Sequence, residues 1–173
     1  MKGREIVKYV IKVWPVIAVL TIAICFCTEL VGGWCGIELP QQTNVELIRS
    51  TFLHAFDCWK NFGCAVVNAA LVVAILPIVE ELVFRYLLWK LPTTRGRNSD
   101  KLRYLGVGCV IISSGLFSAA HYLQQPFPDN AFLALFFFGL AQCWLYRRVN
   151  SFWAPVLNHS LFNLTNLGLM FIV

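Results

Sequence analysis

The fold of this chain follows from one stretch of its sequence, residues 71–90, which reads LVVAILPIVEELVFRYLLWK. The first nine of these residues carry no polar side chain, as in a helix that crosses a membrane. Three charged residues then interrupt the same apolar run: Glu80, Glu81 and Arg85. Inserting a charge at the centre of a membrane helix costs about 2.5 to 3.5 kcal/mol. The three charges are therefore expected to be paired or hydrated inside the protein, away from lipid.

The composition of the whole chain indicates that lipid is its solvent. The 173 residues are 58% hydrophobic and 13% charged, whereas a globular domain has about 25% charged residues. The length gives room for one hydrophobic core. We therefore predict an all-α integral membrane protein, with residues 1–173 forming a single membrane domain.

Five stretches are long and apolar enough to cross a bilayer, which takes about 20 residues. They run from Val13 to Thr28, from Phe62 to Leu91, from Leu105 to Tyr122, from Ala131 to Tyr146 and from Phe152 to Val173. The sequence thus predicts a polytopic bundle of about five transmembrane helices. Between the first two spans, apolar residues recur with a rough helical period, which predicts a helix on the membrane surface: Val45, Ile48, Phe52 and Phe56.

The basic residues predict the orientation, because short cytoplasmic loops retain Lys and Arg. Eleven of the 14 Lys and Arg residues lie before the first span, from Lys90 at the end of the second span to the start of the third, or just after the fourth. We therefore expect a cytoplasmic N-terminus and an external C-terminus. The net charge of +5 then reflects this topology and attraction to anionic lipid, and no nucleic-acid partner is expected.

The seven cysteines include no CxxC pair, so they predict no metal centre. Most of them lie in or beside the spans, where a free cysteine behaves as a small hydrophobic residue. A disulfide between Cys35 and Cys58 in the external connection remains an alternative.

Helical spacing pairs two of the three charges in residues 71–90. Glu81 and Arg85 are four residues apart, with the acid on the N-terminal side, which favours an ion pair along one helix face. Glu80 is rotated by about 100° from Glu81 around the helix axis, so it faces a different neighbour. Two histidines in predicted spans, His121 and His159, are the candidate partners of Glu80.

A carboxylate, two histidines and an amide in a low-dielectric cavity suit the hydrolysis of an amide bond by an activated water. A carboxylate that has lost its water is a stronger base, as general base catalysis requires. His159 and Asn163 are one helical turn apart and can present donors to an oxyanion. A proton relay of a transporter and a non-catalytic binding or immunity role remain alternatives.

Three segments resemble the motifs of a known family: EELVFR at residues 80–85, FSAAH at 117–121 and HSLFN at 159–163. They are similar to the EExxxR, FxxxH and HxxxN motifs of the CPBP family of intramembrane proteases. This family includes the type II CAAX prenyl endopeptidases and the bacterial Abi proteins. The motifs occur in the family's order, so residues 62–163 are expected to form the catalytic core.

The resemblance implies a catalytic role for four residues. Glu80 acts as the base that activates water together with His121, while His159 and Asn163 stabilise the oxyanion. No cofactor is expected from this mechanism. The family is often described as metallopeptidases, so a zinc ion held by Glu80, His121 and His159, with water in the fourth position, is the alternative.

The resemblance also implies that Glu81 and Arg85 support the site without taking part in the reaction. The expected substrate is a membrane-anchored peptide or protein that reaches the cavity from the lipid bilayer. The expected location is the bacterial cytoplasmic membrane, and the short, bacterial-style chain argues against a prenylated substrate. The sequence predicts neither the cleavage site nor the oligomeric state.

Overall fold

The computed structural model describes residues 2–37, 39, 43–55, 57–94, 100–123 and 129–169. In these ranges the chain forms six helices and no strand. They are α1 (Gly3–Trp34), α2 (Thr43–Leu53), α3 (Trp59–Lys90), α4 (Asp100–Ala120), α5 (Phe132–Val149) and α6 (Trp153–Leu169). A short helix, Leu91–Thr94, continues α3. The prediction of an all-α membrane bundle is therefore confirmed.

The helices α1, α3 and α5 are each long and apolar enough to cross a membrane. Two further predicted spans correspond to shorter helices: the described apolar part of α4 is Gly106–Ala120, and α6 has 17 residues. The end of the fifth predicted span, residues 170–173, lies outside the described residues. The segment predicted to be a surface helix forms α2, and its position on the membrane surface stays a prediction; Phe56 also lies outside the described residues. The chain is an integral membrane protein.

The helix α5 lies between α1, α4 and α6 and contacts all three. Two buried clusters form at different depths along it. The aliphatic cluster consists of Val10, Leu145, Val149 and Ala154. The aromatic cluster consists of Ile17, Ala18, Phe117, Phe138 and Phe162. The aliphatic cluster is nearer the start of α1, and the aromatic cluster lies further along it.

A glycine allows α4 and α5 to approach closely. A Cβ atom on Gly139 would lie 2.9 Å from the Cβ of Ser114 and 3.0 Å from its Cα. Real Cβ contacts are longer than this, so no larger residue fits here without displacing α4. Small residues at helix contacts are the usual means of close packing in membranes.

The helix α3 is irregular on both sides of the segment that carries the two glutamates. Leu71–Ile75 and Leu82–Lys90 are π-helical, and Leu76–Glu81 between them is α-helical. The wider π turn changes the backbone hydrogen-bond register, and Pro77 supplies no N–H at all. Some carbonyl groups of α3 therefore need partners from other helices, because lipid offers none.

Polar side chains of neighbouring helices bond to these carbonyl groups. The Asn163 amide donates to the Val72 carbonyl at 2.8 Å, and the Ser113 hydroxyl donates to the Phe84 carbonyl. One bond lies on each side of the segment Leu76–Glu81. Together they fix the rotation of α3 about its axis, and hence the directions in which its glutamates point.

The seven cysteines form no disulfide. All seven are free, and both Cys35 and Cys58 are exposed. The alternative disulfide between these two residues is not formed.

Candidate active site

Glu81 and Arg85 form a completely buried ion pair. The Arg85 Nε lies 3.1 Å from the Glu81 Oε2, and both side chains are 0% exposed. The distance is that of an ion pair, but these two atoms form no hydrogen bond with each other. The contact is therefore purely one between opposite charges. The Arg85 Cζ also lies 4.2 Å from the centre of the Phe117 ring. An aromatic face therefore stabilises the same cation.

His159 lies between the two glutamates of α3. Its Nδ1 is 2.9 Å from the Glu81 Oε1, and its Nε2 is 3.5 Å from the Glu80 Oε2. A carboxylate can only accept, so Nδ1 carries a proton and donates it to Glu81. This bond turns Nε2 towards Glu80. The Glu80 side chain is 26% exposed, whereas that of His159 is 5% exposed, so Glu80 is the member of the trio that a substrate can reach.

The gap between Glu80 and His159 has a chemical consequence. A distance of 3.5 Å exceeds that of an ordinary hydrogen bond, which is about 2.7 to 3.2 Å. If Nε2 carried a lone pair and Glu80 a full charge, the two groups would repel each other. A proton on Nε2, or a bound water between the two groups, would remove this repulsion.

His121 is oriented by its own helix. Its Nδ1 bonds to the Phe117 carbonyl at 2.9 Å, and because a carbonyl only accepts, Nδ1 carries the proton and Nε2 keeps a lone pair. The Phe117 ring contacts both imidazoles, with centroids 4.9 Å from His121 and 5.8 Å from His159. Within the described ranges, no hydrogen bond or ion pair joins His121 to Glu80.

Asn163 lies one turn after His159 on α6, but its amide faces the backbone of α3. One of its two N–H groups donates to the Val72 carbonyl at 2.8 Å. Only the second N–H of the same group is left for an oxyanion. The structure therefore gives Asn163 a structural bond in addition to the role implied by the resemblance.

The zinc alternative would use Glu80, His121 and His159 as ligands. In the part of the chain that the structure describes, no group of three or more His, Cys, Asp or Glu side chains is placed to hold a metal ion. The Nε2 of His159 faces Glu80, and its Nδ1 bonds to Glu81, a carboxylate contact that metal-ligating histidines also make.

Sequence reasoning missed two residues that shape the site. Phe138, which is 1% exposed, places its ring 5.2 Å from that of His159. It lies in an apolar run of the sequence, in which nothing distinguishes it from the neighbouring apolar residues. Ser113 holds the second π-helical stretch through the Phe84 carbonyl. The small residues of α4 predict close packing, but they do not predict this bond.

The fold and the site define a class of protein, a helical membrane bundle with a partly exposed carboxylate beside a buried, acid-bound histidine. Residues 62–165 match the family model described as Rce1-like, type II CAAX prenyl endopeptidase. The match covers more than half of the 173 residues. The chain therefore belongs to the Rce1-like family, whose members are intramembrane proteases of the CAAX type. No curated protein and no solved structure matches the chain.

Proposed function

We propose that this protein is an intramembrane endopeptidase that cleaves a membrane-anchored protein or peptide with a water molecule activated by Glu80. The observation that carries the proposal is the position of Glu80, partly exposed and 3.5 Å from a histidine that a second glutamate holds in place. Family membership supports the reaction class, and Glu80 belongs to α3, a helix long and apolar enough to cross a membrane.

The reaction begins when water attacks the carbonyl carbon of the scissile peptide bond. Glu80 takes one proton of this water, and the Nε2 lone pair of His121 accepts a hydrogen bond from it. The negative charge moves to the carbonyl oxygen, which His159 Nε2–H and the second N–H of Asn163 stabilise. Glu80 then gives its proton to the leaving nitrogen as the C–N bond breaks, which yields a carboxylic acid and an amine.

Glu81 and Arg85 support this sequence without contacting the substrate. The bond from His159 Nδ1 to Glu81 fixes the ring, so that Nε2 faces the reacting groups. Arg85 places a buried cation beside Glu81, with its Nε 3.1 Å from the Glu81 Oε2. In this arrangement His159 donates through both ring nitrogens, and the adjacent Glu81 carboxylate stabilises the charge of the imidazolium.

The proposed location is the cytoplasmic membrane of a bacterium, with the N-terminus inside and the C-terminus outside. The distribution of Lys and Arg along the chain supports this orientation. With it, the start of α1 and the end of α5 lie on the cytoplasmic side.

The test is cleavage of a prenylated CAAX peptide and of a membrane-anchored reporter by the purified protein in liposomes. Glu80→Gln keeps the size of the side chain but removes the base, and we expect the rate to fall by about 10²- to 10⁴-fold. Glu29→Gln, an exposed glutamate at the end of α1, is the matched control and keeps the wild-type rate. Wild-type cleavage by Glu80→Gln would refute the mechanism.

A second arm of the experiment tests the zinc alternative. We expect the wild-type enzyme to keep its rate after treatment with a zinc chelator. Loss of activity on chelation, with recovery on added zinc, would replace base-activated water by zinc-bound water. A folded wild-type protein that cleaves neither substrate at any protein concentration would favour the non-catalytic alternative.

A further inference from the structure

Three polar groups inside the bundle lack a hydrogen-bond partner among the described residues. They are the indole N–H of Trp14, the amide nitrogen of Gln142 and the side-chain oxygen of Asn158. Gln142 and Asn158 are both 0% exposed. They bond to each other once, from Asn158 Nδ2 to Gln142 Oε1 at 3.2 Å. This bond leaves a donor on Gln142 and an acceptor on Asn158 unsatisfied.

The three groups belong to three different helices, each of which contributes to both the aliphatic and the aromatic cluster. Trp14 stands between Val10 and Ile17 in the sequence of α1 and packs against the aromatic cluster. In the same way, the two amides stand between cluster residues of their own helices: Gln142 between Phe138 and Leu145, and Asn158 between Ala154 and Phe162. The helices α1, α5 and α6 contact one another, so we expect these positions to form one layer across the bundle.

This layer adjoins the candidate active site. Asn158 directly precedes His159 in α6. The two terminal nitrogens of Arg85, and the hydroxyl of Ser114, also have no hydrogen-bond partner in the described ranges. Arg85 contacts Glu81, which holds His159, and Ser114 packs against Gly139, one turn from Gln142. All of the helices except α2 thus contribute an unsatisfied polar atom.

The mixture of groups identifies the ligand by its chemistry. The donors are an indole, an amide and a guanidinium, and the acceptors are an amide oxygen and a hydroxyl. An anion would meet the Asn158 oxygen and the charge of Glu81, while a cation would meet Arg85. Water both donates and accepts, and a buried water makes two to four hydrogen bonds. Lipid cannot satisfy any of these groups.

We propose that the layer formed by Trp14, Arg85, Ser114, Gln142 and Asn158 binds a small cluster of internal water molecules beside His159. The cluster ties α1, which lies outside the family match, to the catalytic core. If the proposed function holds, the bound waters also supply the reactant water to Glu80 in a site surrounded by lipid.

Radiolytic hydroxyl-radical footprinting of the full-length protein in micelles tests this proposal, because X-rays convert bound water into radicals that oxidise adjacent side chains. We expect oxidation of Trp14 at a rate several-fold above that of Trp89, a tryptophan that is 6% exposed and packs in a separate apolar cluster. Trp34, which is 95% exposed, gives the rate for bulk water. The readout needs no proteolysis, so its failure is distinguishable from failure of the proposed function.

A substitution then assigns the labelling to the layer. Asn158→Leu removes the acceptor at similar volume, and the oxidation rate of Trp14 is expected to fall to that of Trp89. Because Trp14 is itself partly exposed, the variant comparison decides, and Gln142→Leu, which removes the donor of the same pair, replaces Asn158→Leu if that variant does not fold. Equal rates for these two tryptophans in the wild type, or unchanged Trp14 oxidation in folded Asn158→Leu, would overturn the proposal.

Discussion

Replacing Glu81 and Arg85 singly and together separates the stability of the fold from its activity. Glu81→Leu leaves the Arg85 cation buried without its counter-charge, and Arg85→Met leaves the Glu81 anion in the same position. Both side chains are 0% exposed, so neither remaining charge can reach water. The double variant contains neither charge and fills the space with apolar side chains of similar size.

The magnitudes follow from the burial of the pair. Removing one partner of a buried ion pair costs about 3 to 5 kcal/mol, which lowers the ratio of folded to unfolded protein by roughly 10²- to 10³-fold or more. Replacing both partners by apolar residues is often neutral, or stabilises by about 1 to 4 kcal/mol. We therefore expect each single variant to be strongly destabilised, and the double variant to recover most of the loss.

Activity is expected to follow a different pattern. The bond from His159 Nδ1 goes to Glu81 and not to Arg85, so every variant that lacks Glu81 loses the orientation of the histidine. The double variant is thus predicted to be folded and stable, yet to cleave far more slowly than the wild type. Unfolding in mixed micelles and cleavage of the CAAX peptide measure the two quantities. A double variant as unstable as the singles, or one as active as the wild type, would refute this account of the pair.

Three further substitutions test the packing around the site. Phe117→Ala removes the ring that contacts Arg85 and both imidazoles, and should lower the free energy of unfolding by about 3 to 5 kcal/mol. A decrease no larger than that caused by replacing an exposed phenylalanine would contradict these contacts. Gly139→Ala forces a Cβ against α4 and should lower the free energy of unfolding by about 1 to 3 kcal/mol. Gly115→Ala is the control, since nothing lies within 4 Å of the new Cβ, and it should be neutral or slightly stabilising. Equal effects of the two substitutions would show that the close approach of α4 and α5 is not needed. Asn163→Leu removes the donor to the Val72 carbonyl, and should lower the free energy of unfolding by about 1 to 3 kcal/mol and slow cleavage. An unchanged unfolding midpoint would mean that this hydrogen bond is dispensable.

The fold class was predictable because it depends on properties that are local in the sequence. An apolar segment of sufficient length is expected to be a helix in lipid wherever it occurs, so the spans and the surface helix could be located before any packing was known. The ends of the helices were less predictable. The first predicted span starts at Val13, whereas α1 begins at Gly3, because the charged first turns extend the helix beyond its apolar part.

The pairing within the site was predictable only along a single helix. Glu81 and Arg85 lie four residues apart, and this spacing determines their contact. The partner of Glu80 depends on how three helices rotate against one another, and the sequence offered His121 and His159 equally. The structure places His159 beside Glu80. The bond from Asn163 to Val72 was not predictable at all, because it depends on a π-helical stretch that regular helical spacing does not reveal.

Glu80 and His159 are proposed to act as one unit on the scissile bond, Glu80 on the attacking water and His159 on the carbonyl oxygen. A double-variant cycle in kcat/KM for the CAAX peptide tests this coupling most directly, using Glu80→Gln, His159→Gln and the combination of the two. Residues that act as a unit show strongly non-additive losses. We predict that the double variant is no slower than the slower single variant. A double variant that is slower than the wild type by the product of the two single losses would contradict this coupling.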